Sequence, residues 1–491
     1  MNFASAPFVL LFLPIVLGLF HALRGPRAAE RRMALLIVAS MVFYLAGGWR
    51  NGAILAGSIL GNFLFGTALI TLPRERPGRR KAVMWAAVLA NLGVLLTFKL
   101  RILDASGGAG FSAAEDVLLP LALSFVTFQQ IGFIVGCHRG TIRRLSVGRY
   151  LFFVLFFPQL VLGPIVRFED IDRQLDDGAL ARTDSEWLAT GLAVFSLALA
   201  KKLLLANTLA VPVDAVFARV ATGEIAWAEA WFAIVTFQFQ LFLDFSAYAE
   251  MAIGLAMMVG MKVPLNFDRP LFARDRADMW RRWHISFATF MRGNVFLPLV
   301  RHWRWPAWAA LAATGILSGL WHGLGPTFVI WGIAQTTILL VLHWRTGRQR
   351  RGAEKRLPVP AAIATTFLTT CLLGVLFRSP DIAALGRVVE ALAGGGGTAA
   401  AGLVGPREIV GSVLAAVLIW AGPDLGQIFR GRWRFTELRP GAKPPPVHPL
   451  ERWIGFAPTL AWGIVIAALM LAALLALVAQ GSASRFVYVQ F

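Results

Sequence analysis

Long apolar runs alternate with short polar or basic connectors along almost the whole chain of 491 residues. A helix crossing the hydrocarbon core needs about 20 mostly apolar residues. Thirteen runs approach that requirement: Ala6–Leu23, Met33–Trp49, Ala53–Leu72, Ala82–Phe98, Val117–Gly136, Leu151–Gly163, Leu188–Leu209, Ala228–Val259, Trp308–Leu320, Thr327–His343, Ala361–Phe377, Ile409–Ala421 and Trp453–Ala479. Several are short, so re-entrant or interfacial segments are expected among them, with roughly ten to thirteen membrane helices in all. No repeat of fixed period is visible, and no inverted repeat of the transporter kind.

Charge then orients the runs. Met1 to Leu23 holds no Lys or Arg, and Arg24, Arg27, Arg31 and Arg32 follow the apolar stretch. That order reverses a secretory signal, so the first run reads as a retained helix with its N-terminus outside. Basic clusters recur at Arg74–Lys81 and Arg139–Arg149, two runs apart each time, and all fit cytoplasmic loops. The Asp104–Asp116 loop between them is glycine-rich and acidic, as an outside loop should be. The C-terminal part repeats the logic, with basic Arg345–Arg356 and Arg430–Lys443 flanking sparsely charged Asp381–Val404, which carries Gly394–Gly397. Pro444–Pro446 reads as a stiff extended loop. The chain is therefore expected to be a single multi-pass domain, residues 1–491, in contact with membrane lipids.

Composition agrees. Hydrophobic residues make up 57% and charged residues only 15%, against about 25% charged in soluble proteins. The net charge of +20 would suit nucleic acid in a soluble chain, but here the basic residues sit between membrane runs, and no nucleic-acid partner is expected. Cys137 and Cys371 are far apart and imply neither a disulfide nor a metal site. Cys137, beside a basic loop, reads as a plain buried thiol or a lipidation site.

Polar residues within apolar runs are costly, about 2.5–3.5 kcal/mol on insertion scales, and therefore point to function. Gln240, Asp244 and Tyr248 recur every four residues, which places them on one helix face that must look into protein or water. That face either holds the bundle together by interhelical hydrogen bonds or orients a catalytic group. The segment Asn266–Ser286 is charged and aromatic at once, and suits an interface or a cavity wall. Arg281 and Arg282 within it could grip carrier phosphates or snorkel to lipid headgroups. His322 lies between apolar helices, where no water serves it, and imidazole can take and return a proton near neutral pH. Glycines around it permit close backbone approach. His284 carries the same chemistry on weaker grounds. His21, His138, His302, His343 and His448 read as interfacial or solvated. There is no Walker loop and no Gly-x-Ser-x-Gly elbow.

Several segments together resemble the membrane-bound O-acyltransferase family. They are Leu123-Ser-Phe-Val-Thr-Phe-Gln-Gln130, Phe157-Pro-Gln-Leu-Val-Leu-Gly-Pro-Ile-Val-Arg-Phe168, Leu243-Asp-Phe-Ser-Ala-Tyr248, Met279-Trp-Arg-Arg-Trp-His-Ile-Ser286, Gly319-Leu-Trp-His-Gly323 and Val375-Leu-Phe-Arg378. The two histidine motifs, in that order and 38 positions apart, are the most specific. The likeness is greatest to members serving alginate O-acetylation. It covers Met1 to about Pro380, with the motif-bearing core at about 117–380 and weaker likeness over 381–491.

The resemblance implies an all-α polytopic bundle with a central tunnel or funnel and re-entrant helices. It implies that His322 is catalytic and His284 the second active-site position. Asp244, Trp321, Tyr248, Arg281, Arg282 and Ser286 fall in its motifs as substrate-binding or supporting residues. It implies an acyl group, acetyl in the first instance, taken from a cytoplasmic thioester such as acetyl-CoA, with no bound cofactor and no metal. The acceptor would be an exported polysaccharide, reached through a periplasmic or extracellular acetyltransferase partner. The chain departs from the pattern at Arg292-Gly293-Asn294, where such subunits read Arg-Asp-Tyr, and at Ala247, where they have Gly. Those departures leave the polymer open. D-alanyl or lipid acyl transfer within the family, and a non-enzymatic transporter, remain the alternatives.

Overall fold

The computed structural model describes residues 1–105, 122–182, 184–222, 225–350, 357–395, 402–435 and 447–480. Among them every regular element is a helix. Seven helices among the described residues are long and apolar enough to cross a membrane: Trp49–Thr71, Pro77–Ala105, Ser185–Val220, Trp227–Met258, Pro326–Arg345, Val359–Arg378 and Leu460–Gln480. This is fewer than the ten to thirteen expected. Of the other six runs, Val117–Gly136 begins outside the described residues, and the rest form shorter or interrupted helices. Leu151–Gly163 breaks at Phe156, which leaves the helical region just ahead of Phe157–Leu160 and its Pro158. Ala28–Leu45 spends its first turns on Glu30, Arg31 and Arg32. Leu123–Arg139, Ala307–His322 and Pro406–Trp420 stop at 17, 16 and 15 residues. Residues 106–121, most of the expected outside loop, and Pro444–Pro446 lie outside the described residues.

The arrangement inverts that of a soluble protein. Trp227–Met258 runs through the middle and is buried over 89% of its most apolar window, although it carries Gln238, Gln240, Asp244 and Ser246. Leu460–Gln480 is the most apolar span and is only 11% buried. Apolar side chains outside and polar ones inside is what lipid as solvent selects, because a buried polar group can find a partner only within the bundle. Asn62 and Asn91 illustrate this: their amides bond reciprocally at 2.7 and 3.0 Å between two neighbouring spans. Gln240, Asp244 and Tyr248 are all buried, as their shared face requires.

Buried arginines tie the helix ends. Arg32 donates to the carbonyls of Phe20, Leu23 and Leu180, and Arg80 to those of Leu69, Leu72, Cys137 and His138. The last carbonyls of a helix have no intrahelical donor and carry partial negative charge, so a guanidinium satisfies both needs. The Arg80 bonds bring Arg74–Lys81 against the start of the Arg139–Arg149 segment, and the Arg32 bonds tie Arg24–Arg32 to the turn at Leu180. Cys137 and Cys371 are both buried. His448 is also buried rather than solvated, with Nε2 3.2 Å from the Ala421 carbonyl.

Candidate active site

His322 is the last residue of Ala307–His322, and glycines set where that helix can lie. A Cβ on Gly319 would collide with the Phe328 carbonyl, and one on Gly332 would meet the Gly315 carbonyl at 2.6 Å. Gly315 and Gly319 thus let Ala307–His322 lie directly on Pro326–Arg350, the small-residue contact by which membrane helices approach closely. The His322 carbonyl accepts from Lys99 Nζ at 3.1 Å, which fixes the helix end against Pro77–Ala105. Its imidazole is 7% exposed. Aromatic rings surround it: Trp321 at 4.7 Å, Phe377 at 4.8 Å and Trp331 at 5.4 Å between centroids.

His284 reaches the same place from a different element. Asn266–Asp268 and Arg282–Ile285 pair through backbone bonds, Asp268 N–H to Arg282 O and Ile285 N–H to Asn266 O, both 2.9 Å. Between them His284 adopts φ 44°, ψ 53°, the left-handed region that a β-carbon disfavours. Such a conformation persists only where its surroundings over-determine it. Here Asn266 Oδ1 does so: it lies 3.2 Å from His284 Nδ1 and accepts from Ser286 N–H at 3.1 Å and Ser286 Oγ–H at 3.0 Å. Ser286 Oγ in turn accepts from Ile165 N–H at 3.0 Å. The imidazole, 1% exposed, stacks on Phe287 at 5.1 Å and meets Phe245 edge-on at 4.9 Å.

Both histidines line one cavity of about 580 Å³, counted with the solvent at its mouth. Its wall also includes Gln238, Arg276, Trp280, Trp283, Phe287, Trp331, Gln335, Thr370 and Phe377. The cavity wall combines aromatic and aliphatic side chains with a few polar groups, the usual character of a small-molecule site. A proton acceptor, a second imidazole and a water-poor wall are the parts that acyl transfer needs.

The other residues expected at the site are placed around the cavity rather than in its wall. Trp321 packs between Phe128 at 5.3 Å and Phe287 at 4.6 Å, behind both histidines. Ser286 acts on His284 through Asn266, as above. Asp244 is ion-paired with Lys202 at 2.5 Å, both side chains 1% exposed. The next residue, Phe245, is the one that touches His284. Tyr248 stacks on Phe3 at 4.7 Å. Arg281 and Arg282 bond Asp278 at 3.3 and 3.0 Å, and the Arg281 side chain is 66% exposed.

Sequence reading passed over Arg276, Asn266, Gln238, Gln335, Thr370 and Lys99. Asn266 and Arg276 stood in the segment already singled out, but its double arginine at 281–282 drew attention instead. Gln238 stands two residues before Gln240. Thr370 follows Thr369, Gln335 precedes Thr336 and Thr337, and Lys99 stands two residues before Arg101, so none is isolated, and only their place in apolar helices could have flagged them.

Comparison with known proteins agrees with this geometry. The sequence profile of the membrane-bound O-acyltransferase family, MBOAT, matches residues 139–344, a stretch containing both histidines. The chain is 33% identical over 412 residues, 80% of its length and 80% of the relative's, to the probable alginate O-acetylase AlgI of Pseudomonas putida. It is 28% identical over 427 residues to the peptidoglycan O-acetyltransferase of Helicobacter pylori, again 80% of each chain. Over 237 residues, 45% of this chain and 56% of the relative, it is 27% identical to the teichoic acid D-alanyltransferase of Streptococcus thermophilus. Enzymatic relatives across that range set aside the transporter alternative. The chain belongs to the membrane-bound O-acyltransferase family and is a multi-pass membrane O-acyltransferase.

Proposed function

We propose that this enzyme takes an acetyl group from a cytoplasmic thioester such as acetyl-CoA and moves it across the inner membrane for O-acetylation of an exported polysaccharide such as alginate. The observation that supports this most is the convergence of His284 and His322, 38 positions apart, on one buried aromatic cavity. The thioester carbonyl would sit in that cavity. His322 would accept the proton of the incoming nucleophile, supplied by the acetyltransferase partner, as that nucleophile attacks the carbonyl carbon and takes the acyl group. The carbon–sulfur bond then breaks, and the imidazolium returns the proton to the thiolate. His284, with Nδ1 held by Asn266, would orient the nucleophile or stabilise the oxyanion.

The remaining residues would act through these two. Trp321 and Ser286 position the imidazoles; Asp244 and Tyr248 hold the central helix on which Phe245 rests. Arg281 and Arg282 face headgroups or carrier phosphates at the membrane surface. The chain acts as one membrane domain, and its 117–380 core carries the chemistry. Donor would enter from the cytoplasmic side, where the positive-inside rule expects the basic loops, and the N-terminus would then be periplasmic. A tunnel through the bundle would deliver the acyl group to a periplasmic or extracellular acetyltransferase that esterifies the sugar hydroxyls. His322→Ala in the native host is the test. Exported polymer should lose its O-acetyl groups at unchanged protein level, and an unchanged O-acetyl content would refute the reading.

One observation favours a second acyl group. The match to a D-alanyltransferase over 45% of the chain leaves D-alanine as an acyl substrate of the same site, and mass analysis of the modified polymer decides between the two.

A further inference from the structure

Among the described residues that line the cavity, Arg276 alone is permanently charged. It is 4% exposed. Its Nη1 donates to Thr370 Oγ1 at 2.6 Å and contacts Met279 Sδ, and its Nη2 donates to Gln335 Oε1 at 2.7 Å. All three partners are neutral. Its Nε is buried with no hydrogen-bond acceptor among the described residues, and so is Nε2 of Gln238 on the same cavity wall. Nearby carboxylates are engaged elsewhere. Asp278 holds Arg281 and Arg282, Asp275 caps its own helix, and Asp244 holds Lys202.

A buried charge costs several kcal/mol in desolvation unless something offsets it. Arg32 and Arg80 are buried too, but each ends on the carbonyl ends of helices, which supply partial negative charge. Arg276 has no such carbonyl. Burial pulls its guanidinium down to about 10, so it remains protonated at neutral pH. In a low-dielectric site a guanidinium attracts an anion far more strongly than in water, and it bonds carboxylate or phosphate through two parallel N–H groups. The donor set, cationic and amide N–H without a facing acid, matches oxygen acceptors carrying negative charge.

We propose that Arg276, with Gln238, binds an anionic group, carboxylate or phosphate, of the thioester substrate inside the cavity. The proposal rests on the acyl-transfer reading of this cavity and adds a substrate class to it. The anion has two sources. It is a carboxylate at the far end of the acyl chain, or the phosphate of a pantetheine-type carrier.

Binding rather than turnover tests this, with full-length protein in lipid nanodiscs and His322→Ala as the background so that thioesters persist. Three probes suffice: S-acetylpantetheine, S-acetyl-4′-phosphopantetheine and S-succinylpantetheine. The expected result is that one anionic probe binds about tenfold or more tighter than S-acetylpantetheine, the usual scale of a charge-assisted hydrogen bond. Tighter binding of the phospho-probe assigns the anion to the carrier, and tighter binding of the succinyl probe assigns it to the acyl group. Arg276→Gln should abolish the preference, and Arg276→Lys should keep the charge but lose several-fold of it. Preferences below threefold for both anionic probes overturn the proposal, as does a preference that survives both substitutions undiminished. Should Arg276→Gln fail to fold, the lysine variant and the probe pairs decide alone. If His322→Ala instead retains full turnover while the anion preference holds, the catalytic reading falls and this one stands.

Discussion

Two buried cations in this bundle have opposite surroundings. Lys202 follows Lys201 in a π-helical segment, Lys201–Ala206, inserted between Ser185–Ala200 and Asn207–Thr222. Successive residues of an α-helix diverge by about 100°, yet here both lysines reach acids on Trp227–Met258: Lys201 pairs with Glu250 at 2.6 Å and Lys202 with Asp244 at 2.5 Å. Both lysines open that π turn, and such insertions recur at functional positions. Arg276, at the start of a short helix beside the cavity, has only neutral partners. Where the protein supplies its own counter-charge, the polar group is part of the scaffold. Where only neutral dipoles answer a charge on a cavity wall, the balance is left to whatever enters. Substitutions at scaffold positions should therefore cost folded protein, and substitutions around the cavity should cost activity first.

The largest effect is expected at the scaffold pair. Asp244→Ala would leave Lys202, 1% exposed, without its carboxylate. Removing one partner of a buried ion pair costs roughly 3–5 kcal/mol, enough to deplete folded protein from the membrane. The double change Asp244→Leu with Lys202→Met removes both charges and should restore most of the folded yield. Size-exclusion yield and detergent melting temperature of the single and double variants measure this. If Asp244→Ala instead gives normal yield and melting but no polymer acetylation, Asp244 belongs with the chemistry and the division drawn above fails.

Much of the fold was legible because lipid imposes a simple rule. Runs such as Ala53–Leu72 and Ala361–Phe377 are long, apolar and uninterrupted, and each became a span within a few residues of its expected limits. Runs that failed did so through features hydropathy averages away, such as Pro158 inside Leu151–Gly163 or the charges opening Ala28–Leu45. The site was legible in part. His284 and His322 carry motif and isolation signals, and the structure brings them to one cavity. Arg276 escaped because sequence cannot tell which of five arginines between positions 269 and 282 turns inward. That depends on which residues the adjoining Pro326–Arg350 and Val359–Arg378 helices present, here Gln335 and Thr370. The π segment likewise has no hydrophobic signature, since Leu203–Leu205 read as ordinary helix.

Asn266 probes the boundary between the two kinds of position. Its side-chain oxygen serves His284 Nδ1, Ser286 N–H and Ser286 Oγ–H together. Asn266→Ala would release all three and free His284 to leave its left-handed conformation. Each bond contributes about 1 kcal/mol net, so a melting shift smaller than that of Asp244→Ala is expected. Polymer acetylation should fall by about tenfold or more, because a loosened imidazole loses its fixed orientation. Asn266→Asp, which keeps an acceptor oxygen, should recover part of the activity. A variant that melts as low as Asp244→Ala, with acetylation per folded molecule unchanged, would move Asn266 into the scaffold.

Arg281 should respond least. Its side chain is 66% exposed and its contact with Asp278 is 3.3 Å long, and exposed ion pairs contribute about 0–1 kcal/mol. Arg281→Ala is expected to change melting by less than a degree or two and acetylation by less than about twofold, in keeping with ordinary surface substitutions. Arg276→Ala in the same assay should lose most of its activity, although the two residues lie five positions apart on one segment. The contrast comes from burial and counter-charge together: one guanidinium sits in solvent with a carboxylate beside it, the other in a cavity wall with neutral partners. Comparable losses for both would mean that substrate meets the segment along its exposed face, and that the cavity charge is not what distinguishes Arg276.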